Sequence, residues 1–417
     1  MVVVFVLIAA AVLAAFAALH YYAWRRLVRE TTAKGGWPRR IGTLVFVAGP
    51  LLVFAALGAE RGGAPFLLQQ VLAWPGFLWL AFALYLLLAL LVGEVVRPVL
   101  RRLLDRRAPA AAAVAPEAAP VRVPVPELRE LEPVPGLAPA APAPTRRLVL
   151  ARTVGAAATL AAAGVVAGGA YGVLRGPTVK RVTVPLAKLP RAAHGFRIAV
   201  VSDVHLGPVL GRGFAERVVD TINATQPDLI AVVGDLVDGT VEDLAPAVAP
   251  LARLSARHGT YFVTGNHEYF SGADPWVEHV RELGLRPLEN ARADIGAFDL
   301  AGVNDIAGEN YGEGPDYARA LGDRDTSRAS VLMAHQPVMI HEAVKHGVDL
   351  QLSGHTHGGQ LWPGNFVAGA SNPTLAGLDR YGDTQLYVSR GAGAWGPPVR
   401  VGAPSDITVV QLASKQA

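Results

Sequence analysis

Four apolar stretches near the N-terminus constrain the fold more than any other feature of the sequence. They are Val2 to Trp24, Ile41 to Leu57, Val71 to Val96 and Gly155 to Leu174. About 20 apolar residues suffice to cross the roughly 30 Å hydrocarbon core of a bilayer, so each stretch fits a membrane helix. The fourth stretch is rich in alanine and glycine and follows Arg146 and Arg147. It fits either a fourth transmembrane helix or a twin-arginine-type export signal.

Charge is distributed unevenly along the chain. Residues 1–147 carry 16 Lys/Arg against 8 Asp/Glu, and the remainder carries 22 against 26. The basic residues concentrate in the loops 25–40 and 97–147, which the positive-inside rule places in the cytoplasm. The region after about residue 177 is then expected on the opposite side. Its acidic balance excludes a basic nucleic-acid-binding domain, and we expect no nucleic acid among its partners.

Composition and hydropathy divide the chain into four segments. We expect a membrane domain of three helices at 1–107, an Ala/Pro-rich linker at 108–147, the fourth apolar segment at 148–176 and a separate domain at 177–417. Within the last domain, short apolar runs alternate with helical patterns, which predicts an α/β fold. Predicted strands are 197–203, 228–234, 259–264, 330–333, 350–352 and 384–389; predicted helices are 214–224 and 247–257.

Five short polar motifs follow predicted strands. In chain order they are SDVH (Asp203, His205), GDLVD (Asp235, Asp238), GNHE (Asn266, His267, Glu268), AHQP (His335) and LSGHTHGGQ (His355, His357). Each motif alone is a weak signal. Together they place oxygen and nitrogen donors at the carboxyl ends of strands, where α/β sheets bind ligands. With no cysteine in the chain, a metal site here uses carboxylate, amide and imidazole ligands, which suit Mn, Fe or Zn.

The ordered motifs resemble those of the calcineurin-like metallophosphoesterase family, and the apolar helices make the chain similar to its membrane-anchored bacterial subgroup. The resemblance covers roughly Val182 to Leu412. It implies a sandwich of two sheets flanked by helices, preceded here by an α-helical membrane domain. It also implies two divalent metal ions. One departure is Ser405-Asp406-Ile407, where Pro-Glu-Ile is usual in the closing strand.

The resemblance also assigns roles to individual residues. Asp203, His205 and His357 would hold one ion; Asn266, His335 and His355 would hold the other; and Asp235 would bridge them. His267 would face the substrate and help protonate the leaving group. Glu268 would orient His267, and Asp238 would support the site from behind the ligands.

We therefore expect a metal-dependent phosphohydrolase in a bacterial cytoplasmic membrane, with its catalytic domain outside the cytoplasm. Its substrate would be a phosphorylated small molecule or lipid, such as a phosphodiester or pyrophosphate of an envelope lipid, nucleotide or wall precursor. No protein partner is predicted. The alternative is a metal-binding sensory or binding module with an inactive phosphoesterase-like domain. Monoesterase, diesterase and pyrophosphatase activity all remain open.

Overall fold

A computed structural model describes residues 2–106 and 145–416 of the chain. Most of the predicted 108–147 linker lies outside the described residues. The long helices are α1 Val2–Trp24, α2 Trp37–Arg61, α3 Phe66–Arg106 and α4 Arg146–Leu174. All four are long and apolar enough to cross a membrane, which confirms the prediction from hydropathy. The helix α3 extends beyond the predicted apolar stretch at both ends.

The chain forms two compact units whose limits fall inside helices α2, α3 and α4. One unit contains residues 1–46 and 83–162; the other contains 47–82 and 163–417. In the first unit, polar side chains meet between the helices. Glu94 of α3 accepts hydrogen bonds from Tyr22 at 2.9 Å and from Arg26 at 2.6 Å. The second unit contains all five polar motifs and the ends of α2 and α3 that face each other across the 62–65 turn. The expected boundaries at 107, 147 and 176 remain a prediction.

The second unit is built on two six-stranded sheets. In chain order, the strands are β1 Thr178–Leu186, β2 Arg197–Val201, β3 Leu229–Val233, β4 Thr260–Val263, β5 Arg286–Pro287, β6 Ala291–Asp294, β7 Phe298–Gly302, β8 Ala329–Met333, β9 Leu350–Ser353, β10 Gly377–Tyr381, β11 Thr384–Val388 and β12 Asp406–Ser414. One sheet has the order β1-β12-β2-β3-β4-β5, and the other has the order β10-β11-β9-β8-β7-β6. Both are mixed sheets.

Seven shorter helices of the described chain accompany the sheets. They are α5 Arg212–Ala224, α6 Val241–Val248, α7 Asn266–Ser271, α8 Ala273–Glu282, α9 Tyr317–Leu321, α10 Ile340–Lys345 and α11 Gly364–Ser371. Among them α5, α6 and α8 pack on the first sheet and α9 and α10 on the second. One buried layer lies between the sheets and includes Val200, Phe298 and Leu352. A second layer packs α5 and α8 on the first sheet, with Trp276 fully buried. The predicted α/β sandwich of two sheets flanked by helices is confirmed.

The predicted helix at 247–257 is wrong in its position. The α-helix in this region begins earlier, at Val241, because the Thr240 hydroxyl accepts the amide of Asp243 as an N-cap. Residues Ala249–Arg253 form a 3₁₀ turn, with Pro250 near its start. The chain from 254 to 256 is irregular and leads into β4.

The departure at Ser405-Asp406-Ile407 leaves the closing strand in place. The strand β12 begins at Asp406 and pairs in parallel with β1 and antiparallel with β2. Ile407 is fully buried, and Oδ1 of Asp406 accepts from the Thr408 hydroxyl at 3.2 Å. The closing strand therefore completes the first sheet.

Candidate metal centre

Strand pairing brings the five motifs to one edge of the sandwich. The adjacent strands β2, β3 and β4 are parallel, and so are the adjacent strands β8 and β9. Parallel neighbours end on the same side of a sheet, so the residues after each strand meet. The motif residues Asp203, Asp235 and Asn266 follow β2, β3 and β4. His335 follows β8, and the His-x-His pair follows β9.

The local backbone is unusual at five of these positions. Asp203, His205, Asp235, His355 and His357 all have left-handed φ values, between 49° and 72°. Residues other than glycine rarely adopt this conformation, and it concentrates at functional sites where surrounding packing enforces it. Neighbouring glycines allow the close approach: a Cβ at position 265 would overlap the Asp235 carboxylate, and one at position 354 would overlap Ser202.

Three sets of side chains in the described chain could hold a metal ion. One consists of His205, Asp238 and His267 and is described below; the other two, called the first and second group, contain expected ligands. In the first, Nε2 of His357 lies 3.0 Å from Nε2 of His205 and 3.3 Å from Oδ1 of Asp203. The ligand atoms of these three residues all lie within 4.8 Å of one another. Asp203 is fully buried, and its carboxylate accepts the amide of His355 at 3.0 Å. This group has two imidazoles and one carboxylate around a common point.

The second group contains Asp235, His335 and His355, whose ligand atoms also lie within 4.8 Å of one another. Oδ1 of Asn266 joins it, 3.0 Å from Nδ1 of His355. Oδ2 of Asp235 lies 3.1 Å from Nε2 of His335 and 3.8 Å from Nε2 of His205 in the first group. The Asp235 carboxylate therefore stands between the two groups.

The donor set fits divalent cations, as His335 illustrates. Its Nδ1 lies 2.8 Å from the carbonyl oxygen of Val233, so Nδ1 must carry the proton and donate it. In the neutral ring, Nε2 then carries a lone pair, and this atom lies next to the Asp235 carboxylate. Burial disfavours a charged imidazole, yet the Asp235 carboxylate raises the pKa of His335 well above its usual value. The site thus favours positive charge between these two side chains, which a metal cation supplies.

The Asp238 carboxylate contacts two histidines. Its Oδ1 lies 2.9 Å from Nδ1 of His205 and 2.6 Å from Nδ1 of His267. Burial opposes ionisation of Asp238, but these two histidines lower its pKa to about 2. Burial likewise opposes a charge on His267, but Asp238 raises its pKa to about 9. Asp238 therefore holds His267 in place and turns Nε2 of His205 towards the first ligand group.

Glu268 makes its hydrogen bonds to the backbone, and Asp238 is the carboxylate in contact with the His267 ring. The expected role of Glu268 in orienting His267 stays a prediction. The fully buried Glu268 carboxylate accepts hydrogen bonds from the backbone amides of Asp235 at 2.9 Å, Leu236 at 2.7 Å and Gly265 at 2.6 Å. Burial, followed by the nearby Asp235 carboxylate, raises the pKa of Glu268 to about 6. Its contacts therefore join the loop after β3 to the loop after β4.

One arginine at the centre was not predicted. Arg400 is buried, and its Nη1 donates to the carbonyl oxygen of His357 at 3.1 Å, while Nη2 lies 3.1 Å from Nδ1 of the same residue. Its Nε donates to the carbonyl oxygen of Gly393 at 2.6 Å. Arg400 thus fixes the loop that carries His357. It lies more than 40 residues after its partner and in no motif, so one sequence offers no signal for it.

The rim of the centre also contains residues outside the motifs. A cavity of about 20 Å³ beside His205 and Asp238 is lined by Glu60 of α2 and Phe77 of α3. The indole of Trp395 lies 5.7 Å from the His267 ring, measured between ring centroids. These contacts depend on tertiary packing between segments far apart in sequence, and no local pattern predicts them.

A centre with two groups of carboxylate, amide and imidazole ligands, at the strand ends of a two-sheet sandwich, defines a class of metal-binding phosphoesterase domains. Comparison with family models agrees: residues 196–359 match the calcineurin-like phosphoesterase model. The chain belongs to the calcineurin-like metallophosphoesterase family.

Relatives occur in bacteria and animals. An uncharacterized metallophosphoesterase of Campylobacter jejuni is 38% identical over 246 residues, which is 58% of this chain and 65% of the relative. One from Helicobacter pylori strain J99 is 37% identical over 250 residues, 59% of this chain and 67% of the relative. A zebrafish transmembrane protein with a metallophosphoesterase domain is 37% identical over 255 residues, 58% of each chain. The match thus spans less than two thirds of the Campylobacter and zebrafish proteins.

Proposed function

We propose that this protein is a membrane-anchored phosphoesterase that uses two divalent metal ions. The observation that carries the proposal is the position of Asp235, with one carboxylate oxygen 3.1 Å from His335 and 3.8 Å from His205. A carboxylate between two groups of ligands is the arrangement that a pair of ions about 3.5–4 Å apart requires.

Each ion would have its own ligands. One would be held by Asp203, His205 and His357, and the other by Asn266, His335 and His355, with Asp235 shared. The oxygen and imidazole donors suit Mn, Fe or Zn. When bound, such ions neutralise charge on phosphate oxygens and make water nucleophilic at neutral pH.

The protein's own acid–base group would be His267. Its Nδ1 contact with Asp238 at 2.6 Å supports this role, because the carboxylate favours the protonated imidazole. A protonated His267 at the rim can stabilise phosphoryl oxygens and donate a proton to the leaving group. Hydrolysis of a phosphoester needs both functions in addition to the metals.

The setting of the centre favours a substrate at a membrane surface. Glu60 and Phe77, from two helices that can cross a membrane, line a cavity with His205 and Asp238. On the rim, the aromatic side chains of Phe270 and Trp395 are 70% and 47% exposed. Tryptophan, with its apolar ring and polar N–H group, is typical of membrane interfaces, and the exposed phenylalanine adds apolar surface on the same rim. We therefore propose a phosphorylated lipid headgroup, as a phosphodiester or pyrophosphate, ahead of a soluble nucleotide or wall precursor.

We also propose that the catalytic domain lies outside the cytoplasm, in a bacterial cytoplasmic membrane. The support is the charge distribution: the basic loops 25–40 and 97–147 flank the helix ends opposite to the 62–65 turn. That turn and the catalytic domain would share the outer side.

The test is hydrolysis by the purified full-length protein. Aryl phosphomonoesters and phosphodiesters are offered first, followed by phospholipid and nucleotide-diphosphate substrates. Treatment with a chelator should abolish hydrolysis, and Mn²⁺ should restore it. Full activity after exhaustive chelation would contradict the proposal.

Two variants separate catalysis from metal binding. We expect His267→Gln to keep its metal and lose activity, while the matched control His341→Gln, at an exposed histidine of the same domain, keeps both. A protein that binds metal but hydrolyses no substrate in the panel would favour the sensory or binding module instead.

A further inference from the structure

The first unit contains a cavity lined by arginines. It measures about 320 Å³ and lies among α3, α4 and the π-helical turn Arg25–Arg29 that continues α1. Its lining residues are Arg26, Glu30, Arg97, Thr145, Arg147, Leu148, Leu150 and Ala151. We propose that this cavity, called the arginine cavity below, binds a phosphate group, either of an anionic lipid or of a free phosphate ester.

The first observation is the buried guanidinium of Arg97. The residue is 6% exposed, and its Nη1 donates to Glu94 at 3.2 Å. Within the described part of the chain, neither Nε nor Nη2 of Arg97 has a hydrogen-bond partner. Burying charged donors without an acceptor is costly, so a structure that holds them in place needs an anion beside them. The cavity supplies the room for one.

The second observation is the charge around the cavity. Three arginines line it, with Glu30 as the one acidic residue among the lining residues of the described chain. Glu30 and Glu94 both bind Arg26, at 2.8 and 2.6 Å. The acidic side chains are therefore occupied by Arg26, while Arg147 and the remaining donors of Arg97 face the cavity. The balance is positive.

The third observation is the start of α4. The Thr145 hydroxyl accepts the amide of Leu148 at 3.3 Å, which leaves the amides of Arg146 and Arg147 as first-turn donors without an intrahelical partner. The first turn has no acidic side chain, and the helix is 29 residues long. Free amides and the helix dipole at such an end favour an anion.

These donors match a phosphate in particular. A guanidinium can bind two phosphate oxygens at once, and the helix amides can bind a third. The apolar residues Leu148, Leu150 and Ala151 complete the lining and suit the carbon atoms of a lipid. Basic pockets between membrane helices bind anionic headgroups by this combination. The segment 107–144 connects α3 to α4 in sequence and contains four glutamates, so a carboxylate of this segment is the competing occupant that the test must separate.

The experiment measures ligand-dependent stability of the full-length protein in nanodiscs. Three conditions are compared: phosphatidylcholine alone, phosphatidylcholine with phosphatidylglycerol, and phosphatidylcholine with inorganic phosphate at constant ionic strength. We expect phosphatidylglycerol or phosphate to raise the melting midpoint of the wild type. Arg97→Gln should weaken the apparent affinity about 10- to 100-fold, since it removes charge-assisted hydrogen bonds. Arg147→Gln, at an exposed residue, tests the same site without disturbing buried packing.

The controls distinguish a lipid phosphate from a free phosphate ester, and they include the outcomes that would contradict the proposal. Arg212→Gln, an exposed arginine of α5, should respond like the wild type. A response to phosphatidylglycerol alone identifies a lipid site, and an equal response to inorganic phosphate identifies a site for free phosphate esters. If neither ligand stabilises the wild type, or if Arg97→Gln and Arg147→Gln respond as fully as Arg212→Gln, the proposal is wrong. Occupancy by a glutamate of 107–144 would give that outcome. Metal-dependent hydrolysis is measured separately and does not enter this test.

Discussion

Substitution of Glu268 by glutamine tests whether this residue supports the centre structurally. The carboxylate accepts three backbone amides at 2.6–2.9 Å. Glutamine has nearly the same shape but one acceptor oxygen and one NH₂ group. In its better orientation, Oε1 keeps the amides of Asp235 and Gly265, and the NH₂ group meets the amide of Leu236. One charge-assisted hydrogen bond, worth about 1.5–3 kcal/mol, is lost, and a buried amide is left without an acceptor.

We expect a net loss of about 2–4 kcal/mol in the free energy of unfolding, because relief of repulsion with Asp235 offsets part of the cost. For a domain of this size, that lowers the melting midpoint by roughly 5–15 °C. Metal content should fall with it, since the Asp235 loop loses an anchor. The assay is a thermal melt with metal analysis, and Glu216→Gln on the exposed face of α5 is the control. A Glu268→Gln protein with wild-type melting and metal content but a greatly reduced rate would refute the structural role and restore a direct effect on His267.

Three further predictions concern the ligands, the protonation state and the topology. Asp235→Asn should lose more metal than His267→Gln, whereas His267→Gln should lose about 10²- to 10⁴-fold in rate with near-normal metal; equal metal loss would contradict the assigned roles. In the chelated protein, the raised pKa of His267, about 9, means that its contribution to stability is complete below pH 6.5 and is lost as pH rises to 9. Between pH 6.5 and 9 the free energy of unfolding should therefore fall more for the wild type than for His267→Gln, by about 3 kcal/mol at most. Parallel curves for the two proteins in thermal melts would show that the Asp238–His267 pair does not cause the pH dependence. Reporters fused after Ser414 should show active alkaline phosphatase and no fluorescence from a protein that matures only in the cytoplasm; the reverse pattern would place the catalytic domain inside.

Much of the second unit could be predicted because its metal-ligand motifs directly follow apolar strands in the sequence. Apolar runs such as 228–234 read as buried strands, and the polar residue after each strand lies where parallel strands end. The helix at 247–257 was misplaced because its apolar residues suggested a helix, while the Thr240 cap and Pro250 fixed the actual limits. Local capping thus prevailed over hydrophobic periodicity.

The parts that could not be predicted depend on contacts between distant segments. Asp238 and Glu268 are both acidic and close to ligands in sequence, and only their geometry shows that Asp238 holds His267 while Glu268 binds backbone amides. Arg400 and Glu60 reach the centre from loops and helix ends far away in the chain. The left-handed backbone at the ligands likewise depends on tertiary packing, since aspartate and histidine tolerate this conformation better than most residues but still adopt it only rarely.

The most direct test of the central claim is a titration of the metal-free protein with Mn²⁺, followed by phosphodiesterase activity and electron paramagnetic resonance. Because Asp235 stands between two groups of ligands, we predict that activity reaches its maximum at two equivalents per chain. The spectrum at that point should show a spin-coupled pair of ions, and Asp235→Asn should lose the coupling. Full activity at one equivalent, with the spectrum of an isolated ion, would contradict a two-metal centre.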